Sequence, residues 1–246
     1  MWPYPKVIAH RGGGTLAPEN TIAAIQCGLD FGYRAVEFDV MLSMDGVPVL
    51  MHDPLFGRTV RSCADGDGVA STKADDLLEM DAGSWYSESF IGEQVPSYQQ
   101  VVRFCQQHDI WMNVEIKPVP GYEVQTGRVV AQFTQDLFLP TARAPLISSF
   151  SFEALASAQQ QAPEIARGLL FDQIPADWLS RLQELDAVAL HCNHKHLTEA
   201  MTQQIKQAGY GLLCYTVNTP ERALEIRSWG VDAFCTDKIN LIAANF

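Results

Sequence analysis

Residues 35–42 read Ala-Val-Glu-Phe-Asp-Val-Met-Leu. Side chains of a strand alternate between its two faces. Val36, Phe38 and Val40 therefore share one face, and Glu37 and Asp39 share the other. The apolar set suits packing against helices outside a sheet, which leaves the two carboxylates pointing inward at the strand's carboxyl end. Similar short runs flank this one, at Val7–Ala9, Trp111–Ile116, Ala144–Ser149, Ala166–Leu170, Ala187–Leu190, Gly211–Val217 and Asp232–Cys235. Amphipathic stretches alternate with them: Thr21–Phe31, Ser97–Gln107, Thr126–Asp136, Phe152–Gln161, Ala176–Glu184, Thr198–Ala208, Pro220–Trp229 and a short last one near Asn240–Phe246. Start and stop signals mark several, such as Thr219-Pro220 at a first turn and Gly32, Gly209 and Gly230 just past helix ends. Alternating strands and helices imply a parallel sheet, and eight such units imply closure into an α/β (β/α)8 TIM barrel.

One spacing breaks the rhythm. The strands that start at 35 and 111 are 76 residues apart, whereas the other gaps run from about 20 to 33. An insertion over about 53–95 explains the excess. It is rich in Gly, Asp and Ser, carries Trp85, Tyr86 and Phe90, and is expected to form a small capping subdomain after strand two, because βα loops open on the mouth of a barrel. The 246 residues are read as one TIM-barrel domain, 1–246, of ordinary globular composition, 47% hydrophobic and 19% charged.

A net charge of −12 argues against nucleic acid or an anionic membrane surface as partner. If the substrate is an anion, a few local cations or a metal must hold it. The six cysteines, Cys27, Cys63, Cys105, Cys192, Cys214 and Cys235, form no CxxC pair. They read as reduced, mostly buried thiols of a cytoplasmic protein. No secretory leader is read at the start, and no apolar run approaches the ~20 residues a membrane span needs.

The polar residues crowd at the ends of adjacent strands. His10-Arg11-Gly12-Gly13-Gly14 ends the first, Glu37 and Asp39 mark the second, and Met51-His52-Asp53 is read as its continuation. The third ends Asn113-Val114-Glu115-Ile116-Lys117, where Asn113, Glu115 and Lys117 share a face. Three converging carboxylates, Glu37, Asp39 and Glu115, repel one another and resist burial unless a cation lies between them. Oxygen-only ligands suit a hard divalent ion, Mg²⁺ or Ca²⁺. The competing reading is a set of surface salt bridges, but Lys117 alone cannot balance three acids. His10 and His52 are candidate proton carriers, since imidazole titrates near neutral pH and a pair can serve as acid and base. His108, His191, His194 and His196 lack such company. Arg11 and Lys117 supply positive charge for phosphate.

With HRGG at 10–13, APENT at 17–21, EFDV at 37–40, DGVPVLMHDP at 45–54, EIKP at 115–118, YTVN at 215–218 and GVDAFCTD at 230–237, the chain resembles the glycerophosphodiester phosphodiesterase family from residue 8 to about 240, in family order. The resemblance implies a TIM barrel with an insertion after strand two. It also implies hydrolysis of glycerophosphodiesters to glycerol 3-phosphate and an alcohol by metal-assisted catalysis. Glu37, Asp39 and Glu115 would bind the metal, His10 and His52 would be the acid–base pair, Arg11 and Lys117 would hold phosphate, and Glu19 would steady the arginine. Tyr215 stands where the family usually has Trp, keeping an aromatic pocket wall of changed size. The family's proline after TD is replaced in Asp237-Lys238-Ile239-Asn240, and the stretch 58–68 departs from the usual segment, which bears on the alcohol group. The partner expected is a small-molecule glycerophosphodiester, with a homodimer left open. Two other readings stand beside it. One is a phosphoinositide- or sphingomyelin-cleaving relative, which would need a basic or amphipathic membrane face. The other is a catalytically dead barrel that binds the same diesters, which should have lost a histidine or a ligand.

Overall fold

The structure is a computed structural model that describes residues 2–61, 66–138 and 144–246. Its elements run β1 (Val7–His10), α1 (Ile22–Asp30), β2 (Ala35–Leu42), β3 (Pro48–Leu50), α2 (Ala74–Leu77), α3 (Tyr98–Gln107), β4 (Trp111–Ile116), α4 (Glu123–Leu137), β5 (Leu146–Ser149), α5 (Phe152–Gln161), β6 (Ala166–Phe171), α6 (Trp178–Glu184), β7 (Ala189–Asn193), α7 (Glu199–Gln207), β8 (Gly211–Tyr215), α8 (Pro220–Trp229) and β9 (Ala233–Thr236). The sheet runs β1-β9-β8-β7-β6-β5-β4-β2, and β1 pairs again with β2, closing a parallel barrel. The expected (β/α)8 architecture is therefore the observed one. Thr21, Ser97, Ser151 and Thr198 each cap a helix by accepting the backbone N–H three residues on.

Alternation divides the core as the sequence implies. Val36, Phe38 and Val40 are buried outside the barrel with Tyr98, Val101 and Val102 of α3. Each such side chain contributes about 1.5–3 kcal/mol by leaving water. Inside, Ile8, Ala35, Trp111, Leu146, Ala189, Leu213 and Ala233 form an apolar plug, sealed at its amino-terminal end by Trp2 and Tyr4. The ring of Tyr4 stacks on Trp111 at 4.7 Å between centroids. Polar inward residues are thereby confined to the other end, where the mouth lies.

Three expectations need correction. Met51-His52-Asp53 is not a continuation of β2. The chain reverses at Asp45-Gly46, with Gly46 at φ +80°, and returns as β3 antiparallel to β2, pairing Val40 with Leu50. Asp-Gly favours such a turn because glycine accepts positive φ freely. Met51 N–H then donates to the Asp39 carbonyl at 3.2 Å, which returns His52 to the level of the carboxylates. Second, residues 240–246 form isolated turns and no helix. Ile239 and Ile242 are buried, and the Ile242 carbonyl accepts from the Tyr33 hydroxyl at 2.6 Å. A short terminal stretch held by its apolar contacts does not repay the cost of nucleating a helix. Third, β7 runs two to three residues later than Ala187–Leu190, so His191 lies within the strand and not beyond it.

The insertion shares a small separate core with the β2–β3 hairpin: Met41, Val49 and Met51 pack with Val60, Val69, Leu77, Ala82 and Val95. It lies against the loop after β1, where the Tyr86 hydroxyl donates to the Thr15 carbonyl at 2.9 Å, and against the first turn of α1, where Glu93 accepts from the Ala23 N–H at 2.9 Å. Cys63 and part of the 58–68 stretch lie outside the described residues. The five described cysteines are free thiols, buried except for the half-buried Cys27. No helix among the described residues is long and apolar enough to cross a membrane.

Candidate active site

The register of β1, β2 and β4 assembles the site. His10 stands beside Glu37, Glu37 beside Asn113, and Asp39 beside Glu115. Carboxylate oxygens of Glu37, Asp39 and Glu115 come within 4.8 Å of one another, and all three residues are buried. Burial raises the pKa of Glu37 and of Glu115, and the charge of Asp39 adds to both shifts. Asp39 is held low against its own burial by the positive charges of Lys117 and Arg11. Lys117 Nζ donates to Asp39 Oδ1 at 3.2 Å and stands 3.6 Å from Glu115 Oε1. Arg11 Nε lies 3.4 Å from Asp39 Oδ2. The two cations do not satisfy the cluster: Glu37 Oε1 and Glu115 Oε1 are buried without a hydrogen bond. Unpaired carboxylate oxygens aimed at one point fit a hard divalent cation.

Each histidine is oriented by a carboxylate. His10 Nδ1 donates to Asp237 Oδ1 at 2.6 Å, while its Nε2 lies 3.7 Å from Glu37 Oε2. His52 Nδ1 donates to Asp53 Oδ1 at 2.7 Å. A carboxylate can only accept, so Nε2 is the nitrogen left to each ring for other chemistry. Burial lowers the pKa of His10, but the hydrogen bond to Asp237 and the charge of Glu37 outweigh it and leave a net rise. For His52 burial prevails over Asp39, with Arg11 and Lys117 adding to the downward shift.

The loop after β1 needs unusual backbone. Arg11 has φ +51° and Gly14 φ +56°, and a Cβ on Gly14 would lie 2.2 Å from the Asp237 carbonyl oxygen. The close approach allows Thr15 N–H to donate to that oxygen at 2.9 Å, tying the loop to the end of β9. In the same loop the Arg11 N–H donates to Glu37 Oε2 at 3.1 Å, and Arg11 Nη1 donates to Glu19 Oε1 at 2.8 Å. Glu19 thus stands behind the arginine.

His10, Arg11, Glu37, His52, Glu115 and Lys117 line one cavity of about 190 Å³, and Tyr215 forms part of its wall. The Tyr215 ring packs edge-on against Phe150 at 5.7 Å, and its hydroxyl donates to the Phe171 carbonyl at 2.9 Å. The nine predicted residues thus converge, seven at the cavity and Asp39 and Glu19 directly behind it.

Residues 10–241 match the glycerophosphoryl diester phosphodiesterase family. The chain belongs to this family. A glycerophosphodiester phosphodiesterase of Caldanaerobacter subterraneus subsp. tengcongensis is 30% identical over 246 residues, 96% of this chain and 97% of that one. Among solved structures, an Oleispira antarctica phosphodiesterase in complex with the product sn-glycerol-3-phosphate superposes with a TM-score of 0.88 and 37% identity, covering 95% of this chain and 93% of that one. A glycerophosphodiester phosphodiesterase from Agrobacterium tumefaciens gives 0.79 and 26%, covering 98% and 100%.

Five supporting residues were not singled out from the sequence. The Asn20 amide donates to Asp39 Oδ2 at 2.8 Å and accepts from the Asp39 N–H at 3.1 Å. The Asn218 amide donates to Asp237 Oδ2 at 2.9 Å and accepts from the Asp237 N–H at 2.8 Å. Arg58 joins Asp53 to Glu19, with bonds of 2.5 Å and 2.7 Å. Asn20, Asp53, Asn218 and Asp237 all stand inside the motifs at 17–21, 45–54, 215–218 and 230–237, which is the signal the sequence offers for them. Arg58 carried none.

Proposed function

We propose that this chain hydrolyses glycerophosphodiesters to sn-glycerol 3-phosphate and an alcohol, with residues 1–246 acting as one catalytic unit and the insertion over 53–95 covering part of its mouth. One observation carries the reading beyond family membership. Two histidines, each anchored through Nδ1 by a carboxylate, line the same cavity as buried carboxylates with unpaired oxygens.

Glu37, Asp39 and Glu115 would hold one divalent cation, Mg²⁺ or Ca²⁺, which when bound supplies positive charge against phosphate oxygens. Arg11 and Lys117 orient the phosphodiester, Arg11 itself being steadied by Glu19. Tyr215 walls the pocket with an aromatic face. One histidine takes a proton through Nε2 from the attacking oxygen, that of water or of the substrate's neighbouring hydroxyl, and the other delivers a proton to the departing alcohol oxygen; if the hydroxyl attacks, water then opens the resulting cyclic phosphate to glycerol 3-phosphate with the two histidines in exchanged roles. Asp237 and Asp53 keep those nitrogens turned toward the substrate.

The test is to incubate the protein with choline, ethanolamine and glycerol esters of glycerol 3-phosphate, with and without Mg²⁺ or Ca²⁺, and to assay glycerol 3-phosphate. Release that chelation abolishes and a divalent ion restores is expected. No release from any ester overturns the activity, and full turnover in excess chelator with no bound metal overturns the metal assignment.

A further inference from the structure

Directly above the apolar plug, three inward positions are polar. Asn113, Ser148 and His191 each follow a plug residue by two along the same strand, after Trp111, Leu146 and Ala189. Their exposures are 2%, 0% and 0%. Asn113 Oδ1, Ser148 Oγ and both ring nitrogens of His191 have no hydrogen-bond partner. A buried polar atom left unpaired costs about 1–3 kcal/mol. Four such atoms consume a large share of the 5–15 kcal/mol typical of a folded domain, unless a bound group meets them.

These positions are connected to the reaction site. Ser148 is the register neighbour of Glu115, and Gly168 is the register neighbour of Ser148. The His191 ring occupies the space that Gly168 leaves, since a Cβ there would lie 2.6 Å from Nε2. Asn113 and His191 line the same cavity as His10 and His52, with Leu170 and Leu213 beside them.

The chemistry of the set selects its ligand. Arg11 and Lys117 pair with the carboxylate cluster, and the unpaired atoms of Asn113, Ser148 and His191 have no cation among them, so they do not suit an anion. Burial drives the His191 pKa down to about 3, so the ring is neutral, with one nitrogen donating and the other accepting. Asn113 Oδ1 accepts, and Ser148 does either. A neutral hydroxyl, itself both donor and acceptor, matches this set, and the adjacent leucines suit a short carbon chain.

We propose that Asn113, Ser148 and His191 form a hydroxyl-binding floor that takes the terminal hydroxyl of the substrate's glycerol and holds a water molecule in its place when the protein is free. This rests on the phosphodiesterase reading. The floor makes His191 and Ser148 specificity-determining residues for the glycerol moiety.

The experiment compares glycerophosphocholine with an analogue whose terminal CH₂OH is CH₃ and whose hydroxyl next to the phosphate ester is kept. The metal-loaded wild type is expected to favour the glycerol ester by about ten- to a hundredfold in kcat/KM, the scale of a lost hydrogen bond in a buried site. His191→Leu and Ser148→Ala should each shrink that preference while still cleaving the analogue. Ser148→Ala removes one atom and keeps the test alive if His191→Leu does not fold. A high-resolution crystal structure of the free protein should show a water oxygen within hydrogen-bond distance of His191 and Asn113. Equal kcat/KM for the two substrates in an active wild type overturns the glycerol assignment and leaves the phosphodiesterase reading intact. Equal losses on both substrates in the variants mean that water stays at the floor throughout, which also overturns it. A floor without any oxygen atom overturns the site itself, whatever the activity.

Discussion

Asn20 is the buried residue on which the position of Asp39 depends, and Asn20→Gly isolates its side chain. Asn20 has φ +58°, a conformation glycine adopts without strain, so the replacement removes the amide and leaves the backbone at ease. Two hydrogen bonds are lost, at 2.8 Å to the ionised Oδ2 and at 3.1 Å from the Asp39 N–H. The first is worth about 1.5–3 kcal/mol and the second about 0.5–1.5 kcal/mol. Arg11 Nε, at 3.4 Å from the same oxygen, is too far to replace the lost donor. A loss of roughly 2–4 kcal/mol corresponds to a Tm drop of roughly 5–15 °C in a chain of this size. Divalent-ion affinity should fall by about ten- to a hundredfold, because a ligand that loses its outer partner loses its orientation. Thermal melting of the metal-free protein and titration calorimetry with Mg²⁺ and Ca²⁺ measure the two effects. Asn20→Ala should melt lower still, by the cost of placing a Cβ in the left-handed region. A Tm within about 2 °C of wild type together with unchanged metal affinity would refute the assignment of Asn20 as the support of Asp39.

His10→Ala and His52→Ala should each lower kcat by at least about a hundredfold while metal binding survives, as steady-state kinetics and calorimetry can check; a loss of only a few-fold demotes that histidine. A substrate in which hydrogen replaces the hydroxyl next to the phosphate ester tests the nucleophile: binding without cleavage is expected if that hydroxyl attacks to give a cyclic phosphate, a route its tethering favours, whereas near-normal cleavage assigns the attack to water. Asp81 is held down to about 2 by the backbone N–H of Gly92 and then of Ser84 and Gly83. Its folded value lies below the ordinary 3.8, so its contribution is intact above that pH and is lost as pH falls toward 2. Hydrogen exchange in residues 81–92 should accelerate over that range before the barrel strands respond, and Asp81→Asn should remove the difference.

The period-two pattern of residues 35–42, repeated in seven further runs, was enough to determine a parallel barrel with carboxylates turned inward. The reason is that pleat geometry is local and faces follow from the order of residues alone. Glu37, Asp39 and Glu115 were legible as inward carboxylates for the same reason, and His10 and His52 were candidates from motif order. What the sequence could not decide was anything set by contacts between distant segments. His52 reaches the carboxylates only because the chain reverses at Gly46 and pairs Val40 with Leu50. Asp237 orients His10 across 227 positions of sequence, a contact that exists only once β9 closes against β1. His191 looked solitary along the chain. Its meaning depends on a strand that begins later than its hydrophobic pattern suggests, and on the side chain missing at Gly168. Burial does the rest. Only a closed barrel removes Asn113, Ser148 and His191 from water, and only that removal turns ordinary polar residues into unpaired ones that call for a ligand.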